Sequence, residues 1–311
     1  MAIARNIRVI PKLEIKGQNL IKGLNFEGNR VLGHSEYFAE QYYREGADEL
    51  FFQDPVASLY QRDTLLDVII RTAKKMFIPM TVAGGIRSVS DMRSLLRAGA
   101  DKVGINTAAL KNPSLISEGA RVFGSQCIVC IIEAKRNSNG TYECWADFGR
   151  QPSGRDVFEW ARQAVELGAG EIILSSVDRD GGGEGFDIDL ISRVSSSVPV
   201  PVIAASGAGT EEDFVRVVKE GLADAVCAAS IFHYRYAQVT DSLYMSYNEP
   251  SLRMGKHVDS GNIDFLKGGY GGISDICVKP TTISSVKQYM HDNGIPVRIE
   301  SAIVPADIRA L

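Results

Sequence analysis

The sequence predicts an α/β fold, a (β/α)8 barrel built from two pseudo-symmetric half-barrels, as a single domain over residues 1–311. Three observations predict it. Eight short apolar runs alternate with amphipathic, helix-like stretches, which is the signature of parallel strands joined by crossover helices. Eight is also the number of strands that closes such a barrel, and the 311 residues exceed the roughly 250 it needs. The third observation is an internal repeat at a constant offset.

The expected strands follow in order as Arg8–Ile15, Glu49–Phe52, Met80–Val82, Lys102–Ile105, Ile128–Ile132, Glu171–Ser175, Val202–Ala205 and Ala225–Ala228. Gly46-Ala47-Asp48-Glu49-Leu50 recurs as Gly168-Ala169-Gly170-Glu171-Ile172, 122 residues on. The same offset pairs Pro79 with Pro201, Gly85 with Gly207, Asp91 with Asp213, Gly99 with Gly221 and Ala108 with Ser230. Leu13-Glu14-Ile15-Lys16 pairs with Ile132-Glu133-Ala134-Lys135 at an offset of 119, a three-residue indel away. A final helix over residues 282–293, ended by Gly294, is expected to close the barrel.

A hydrophobic content of 45% and a charged content of 23% are ordinary for a globular chain. The net charge of −4 gives no field for a nucleic acid. No run of about 18 apolar residues predicts a membrane span, and Met1–Gly17 lacks an apolar signal region, so a cytoplasmic protein is expected. Cys127 and Cys130 form a CxxC, but positions three apart on a strand face opposite ways and cannot chelate one ion. With Cys144, Cys227 and Cys277 the total is odd, which predicts reduced thiols. No metal or cofactor is expected.

Each half carries a glycine turn after its third strand, Ala83-Gly84-Gly85 and Ser206-Gly207-Ala208-Gly209. Small residues follow each fourth strand, Asn106-Thr107 and Ala229-Ser230. Glycine lets backbone N–H groups approach an anion closely, and a helix N-terminus adds positive potential. Two such devices related by the repeat suit a small ligand with a phosphate at each end. Strand alternation places Arg8, Ile10, Lys12 and Glu14 on one face, with Arg8 and Glu14 roughly 20 Å apart. Glu133 is the counterpart of Glu14, so two carboxylates are expected across the far mouth, an arrangement suited to acid and base work.

The run Arg8-Val9-Ile10-Pro11-Lys12-Leu13-Glu14-Ile15-Lys16, then Lys22-Gly23 and Asn25-Phe26, resembles the opening of the cyclase subunit of imidazole glycerol phosphate synthase. Gly99-Ala100-Asp101-Lys102-Val103, Phe123-Gly124-Ser125-Gln126, Val177-Asp178-Arg179-Asp180-Gly181 and Ser230-Ile231-Phe232-His233 continue the match. It covers about residues 5–234 and resumes at 280–300. The resemblance implies a lyase of histidine biosynthesis that docks a glutaminase partner on the N-terminal face of its barrel, as a heterodimer. Ammonia then passes a ring of charges and travels up the barrel interior to a bis-phosphate substrate. By resemblance the ring is Arg8, Glu49, Lys102 and Glu171. Four charges on apolar strands are costly unless mutually paired, and a ring of two cations and two anions pairs them. A plain structural ion-pair cluster is the alternative. No glutaminase nucleophile is evident in this chain.

The resemblance makes Glu14 and Glu133 the catalytic pair and matches Lys22 to a mobile-loop lysine that orders over the substrate. Asp54, Asp180 and Gly181 match positions at the substrate mouth. The chain departs from the family at several of these points. Both acids are aspartate in the family, and Lys12 replaces a cysteine. Gly17-Gln18-Asn19 stands in place of Asp-Gly-Arg, and Ala205 in place of a phosphate-site serine with Ser206 beside it. An added segment, residues 235–279, follows the eighth strand and is expected on the catalytic face. The altered mouth leaves two alternatives: a paralogue that delivers ammonia to another acceptor, such as an amidino sugar of a surface polysaccharide, or a non-catalytic scaffold.

Overall fold

A computed structural model describes residues 5–55, 64–237 and 277–299. Eight parallel strands form the barrel: β1 (Arg8–Lys16), β4 (Leu50–Gln53), β5 (Met80–Ala83), β6 (Lys102–Ile105), β7 (Ile128–Arg136), β10 (Glu171–Ser176), β11 (Val202–Ala205) and β12 (Ala225–Ala228). Each pairs with the next, β12 pairs with β1 (Arg8 opposite Ala225), and β7 pairs with β10 (Val129 opposite Glu171). The sheet therefore closes on itself and leaves no edge among these strands.

The strands are apolar on both faces because both are buried. Their outer side chains pack against the surrounding helices. Their inner ones form a separate cluster that includes Ile10, Phe51, Val129, Ile173, Ile203 and Ala225. This inner cluster is the lining of the barrel. No described helix is long and apolar enough to cross a membrane. All five cysteines are free thiols.

The repeat is visible in the devices that start helices. Asp91 Oδ2 accepts the Ser88 N–H at 2.9 Å, and Ser88 Oγ accepts the Asp91 N–H at 3.2 Å. In the other half Asp213 Oδ2 accepts the Thr210 N–H at 2.8 Å. Both are capping boxes, which satisfy backbone donors that a helix leaves open.

At the last strand of each half the expected equivalence shifts by one residue. Asn106 (φ −122°, ψ −86°) matches Ala229 (φ −122°, ψ −80°), not the residue before it, so Thr107 rather than Ala108 faces Ser230. The slip begins at the preceding turn. Gly99 has φ 115°, and the left-handed residue of the second half is Leu222 (φ 58°), not Gly221. Leu222 is half exposed and has no burial to offset the strain of its Cβ. Leu222→Gly is expected to stabilise the protein by about 0.5–1 kcal/mol, read as a higher Tm.

Lys22, matched by resemblance to a mobile-loop lysine, lies instead in a hairpin. Strands β2 (Asn19–Leu24) and β3 (Glu27–His34) pair with each other, and β2 pairs back onto β1. A second hairpin, β8 (Tyr142–Ala146) and β9 (Gln151–Asp156), follows β7 in the same way. Their tips are Asn25-Phe26 (φ 48° and 63°) and Asp147-Phe148 (φ 51° and 59°), again 122 residues apart. Two consecutive left-handed residues give the twist that lets a tight turn join twisted strands. The two arms are the same device used twice.

The helix Ser230–Tyr236 leads into the extra segment, and residues 238–276 of it lie outside the described residues. The chain re-enters with the Cys277 N–H on the Gly182 carbonyl (2.9 Å), beyond the end of β10. The helix Ile283–Asp292 follows, capped by Thr282, with Gly294 left-handed just past its end.

Candidate active site

At the strand starts, Arg8, Glu49, Lys102 and Glu171 close a ring. Arg8 Nη1 lies 2.5 Å from Glu49 Oε2, and its other terminal nitrogen pairs with Glu171. Lys102 Nζ lies 2.9 Å from Glu49 and 2.8 Å from Glu171. The Thr81 hydroxyl donates to the remaining Glu49 oxygen at 2.5 Å. Signs alternate around the ring, so its net charge is zero and each buried carboxylate is met twice. Burial opposes the Arg8 charge, but Glu171 and Glu49 outweigh it and hold the guanidinium above its ordinary pKa. Above the ring the lining is apolar. Such a lining disfavours a charged species over a neutral one.

At the opposite end, Glu14 and Glu133 are both buried but meet different neighbours. Glu14 Oε1 lies 2.7 Å from Lys12 Nζ, and Glu14 Oε2 lies 3.0 Å from Lys22 Nζ. Lys22 also pairs with Asp180 Oδ2 at 2.8 Å. Burial alone would raise the Glu14 pKa; the Lys12 and Lys22 charges instead bring it down to about 2. Glu133 accepts the Gly149 N–H at 2.9 Å and the Gln53 amide at 3.4 Å. Burial pushes its pKa up to about 7, against the pull of Lys12 and these two donors. One carboxylate is thus a fixed anion, and the other can gain or lose a proton near neutrality.

The two arms meet over the mouth. The Phe26 and Phe148 rings lie 4.3 Å apart between centroids, packed with Val177. Lys12 Nζ sits beneath them, 4.9 Å from the Phe26 ring and 5.4 Å from the Phe148 ring. A cavity of about 490 Å3 opens on the side of the first half, lined by Asp54, Gly84, Gly85, Asn106, Thr107 and Glu133. Arg87 and Lys111 stand on the same wall and supply positive charge. Gly84 (φ 114°) approaches the Asp54 carbonyl so closely that a Cβ there would stand 2.5 Å from it. Asn106 donates to the Trp145 carbonyl at 3.1 Å, and Thr107 Oγ1 accepts the Asp147 N–H at 2.9 Å, which ties this wall to the second arm.

Lys22, Asp180, Gly181, Ser206, Gly207, Ala229 and Ser230 line a second space on the side of the other half. It holds only about 20 Å3, because the Lys22–Asp180 pair fills it. That is room for a water rather than a phosphate group. The Ser206 hydroxyl donates to Asp180 Oδ1 at 3.4 Å, and Ser206 and Gly207 are both left-handed (φ 75° and 104°).

Every residue singled out from the sequence thus falls in one of two places, the floor ring or the mouth. Lys22 is the one whose surroundings differ from expectation: it is a buried strand residue held by two carboxylates. The sequence reading missed Gln53, Gly149, Phe26 and Phe148 as parts of the mouth. For the two phenylalanines a signal existed, because positions 26 and 148 keep the 122-residue offset.

The comparisons agree with this architecture. Residues 8–238 match the family model described as histidine biosynthesis protein. Imidazole glycerol phosphate synthase subunit HisF of Legionella pneumophila is 56% identical over 209 residues, covering 67% of this chain and 99% of that protein. The protein of the same name from Dehalococcoides mccartyi is 43% identical over 296 residues, covering 95% of this chain and 99% of its own length. That from Gluconacetobacter diazotrophicus is 49% identical over 228 residues, covering 73% and 88%.

Proposed function

This chain belongs to the histidine biosynthesis protein family, and from that premise we propose that it is the ammonia-dependent cyclase subunit of an imidazole glycerol phosphate synthase. It converts the phosphoribulosyl formimino intermediate and ammonia into imidazole glycerol phosphate and aminoimidazole carboxamide ribotide. The observation that carries this reading is the course of the barrel interior, which runs from a neutral charge ring, through apolar side chains, to two unequal acids.

The chemistry follows from the groups at the mouth. Incoming ammonia bonds to the ribulosyl carbonyl carbon and then to the formimino carbon. Water leaves from the first carbon and the aminoimidazole amine from the second. The departing water and amine each take up two protons, three supplied by the ammonia nitrogen and one by the methylene carbon as the ring becomes aromatic. Glu133 donates the proton that releases the oxygen and is reprotonated from the nitrogen. Glu14, held as an anion, stabilises the positive charge that develops on that nitrogen. One phosphate binds against Gly84, Gly85, Asn106 and Thr107, and the other against Gly181, Ser206, Gly207, Ala229 and Ser230. The second can enter only as Lys22 moves from Asp180 to the phosphate.

The nitrogen comes from a glutaminase partner on the strand-start face. Phe77, Val122 and Leu222 are exposed apolar side chains on segments that lead into β5, β7 and β12, on the strand-start side of the barrel.

Because Glu133 must start protonated, kcat/KM is expected to fall as pH rises through about 7 when free ammonia is held constant. A profile flat from pH 6 to 8 would contradict the assignment. The reading as a whole is tested with purified chain, the bis-phosphate intermediate and ammonium at pH 8, following release of imidazole glycerol phosphate. Binding of a glutaminase without any turnover would instead favour delivery of ammonia to another acceptor, or a scaffold.

A further inference from the structure

The sharpest break in the symmetry of the mouth lies two residues before each acid. Lys12 precedes Glu14, whereas Ile131 precedes Glu133. Lys12 is only 4% exposed, and its surroundings fix its position. Its Nζ lies 2.7 Å from Glu14 Oε1 and stands over three rings, Phe26 at 4.9 Å, Phe148 at 5.4 Å and Phe51 at 5.9 Å. An ammonium held by one carboxylate and several π faces, away from water, has little freedom to leave. Lys22 takes the other oxygen of Glu14. Among the described residues, Glu133 is met by dipoles alone, the Gln53 amide and the Gly149 N–H.

We propose that Lys12 is a positioning residue that makes the two symmetry-related acids unequal, clamping Glu14 as a fixed anion and leaving Glu133 as the acid that exchanges a proton with substrate. The proposal rests on the cyclase reading for its effect on turnover, but not for the ionisation of the two acids.

The charged groups around the pair are few. Lys12 and Lys22 face Glu14, with Asp180 behind Lys22. Lys12 and Glu14 act on Glu133. Of the influences that pull Glu133 down against its burial, Lys12 is the strongest. Among the described residues, removing the Lys12 charge therefore leaves Glu14 one cation, Lys22, and leaves Glu133 with none acting on it. Both acids move upward, and Glu133 leaves the neutral range. A nearby cation shifts a carboxylate by about 1–3 pH units, so a change of about one unit is the least expected.

The test is a pH titration of the intact chain carrying carboxyl-labelled glutamate, followed by 13C NMR, with Glu133→Gln identifying the Glu133 signal. Lys12→Met is the primary variant, Lys12→Gln a second neutral one in case the first does not fold, and Lys12→Arg the charge-preserving control. The expected result is a midpoint near 7 in the parent, a rise of about one unit or more in the neutral variants, and little change with arginine. The falling limb of kcat/KM should move by the same amount. A folded neutral variant whose Glu133 midpoint stays in place would overturn the proposal. A shifted midpoint in a chain that shows no cyclase turnover would support it and count against the cyclase reading alone.

Discussion

Glu133→Gln is expected to lower ammonium-driven turnover by about 10^2–10^4-fold while raising thermal stability. Glutamine fills the same space, and its amide oxygen can still accept the Gly149 N–H, so the arm over the mouth keeps its anchor. What is lost is the exchangeable proton. The stability gain follows from the direction of the titration. Burial raises the Glu133 pKa from 4.5 to about 7 in the folded protein. A carboxyl so raised costs stability as pH rises from the lower value to the higher, because folding then opposes ionisation. A neutral amide removes that cost, an effect of up to about 3 kcal/mol above pH 7. Activity and Tm should therefore move in opposite directions at pH 8 and show no such split at pH 5. A variant that lost both together would mean that Glu133 is structural.

Glu49→Gln is expected to destabilise the protein by about 3 kcal/mol, because it strips one of two anions from a closed ring. Glu49 is 1% exposed and is met by Arg8, Lys102 and the Thr81 hydroxyl. After the change, two cations share Glu171 and the floor carries a net positive charge. Glutamine-driven turnover with a glutaminase partner should then fall further than turnover driven by added ammonium, which reaches the acids from the mouth. Equal losses from both nitrogen sources would show that the ring only holds the strands together.

The eight barrel strands were legible because each is a short apolar run, buried on both faces, that recurs between longer amphipathic stretches. The ring positions were legible through the family resemblance, to which the cost of four unpaired charges at the starts of apolar runs added support. The arms were not legible. Strand β3 begins exposed and β9 is nowhere fully buried, so neither shows the alternation that marks a half-buried strand. Their turns use Phe26 and Phe148 at positive φ, where glycine or asparagine is the usual marker. Glycine itself misled at Gly221, because the left-handed position belongs to Leu222 beside it. The burial of Lys22 was hidden for a different reason. It depends on Asp180, 158 residues away, and no local pattern reports a contact of that range.

We propose that nitrogen travels inside the barrel, from the ring at Arg8, Glu49, Lys102 and Glu171 to the acids at Glu14 and Glu133. The most direct measurement supplies amide-15N glutamine, a glutaminase partner and the bis-phosphate intermediate, with excess 14N ammonium in the solvent. Mass spectrometry then reads the isotope in imidazole glycerol phosphate. Passage through the barrel predicts product dominated by 15N whatever the solvent holds. Product that follows the solvent isotope would place the path of ammonia outside the protein.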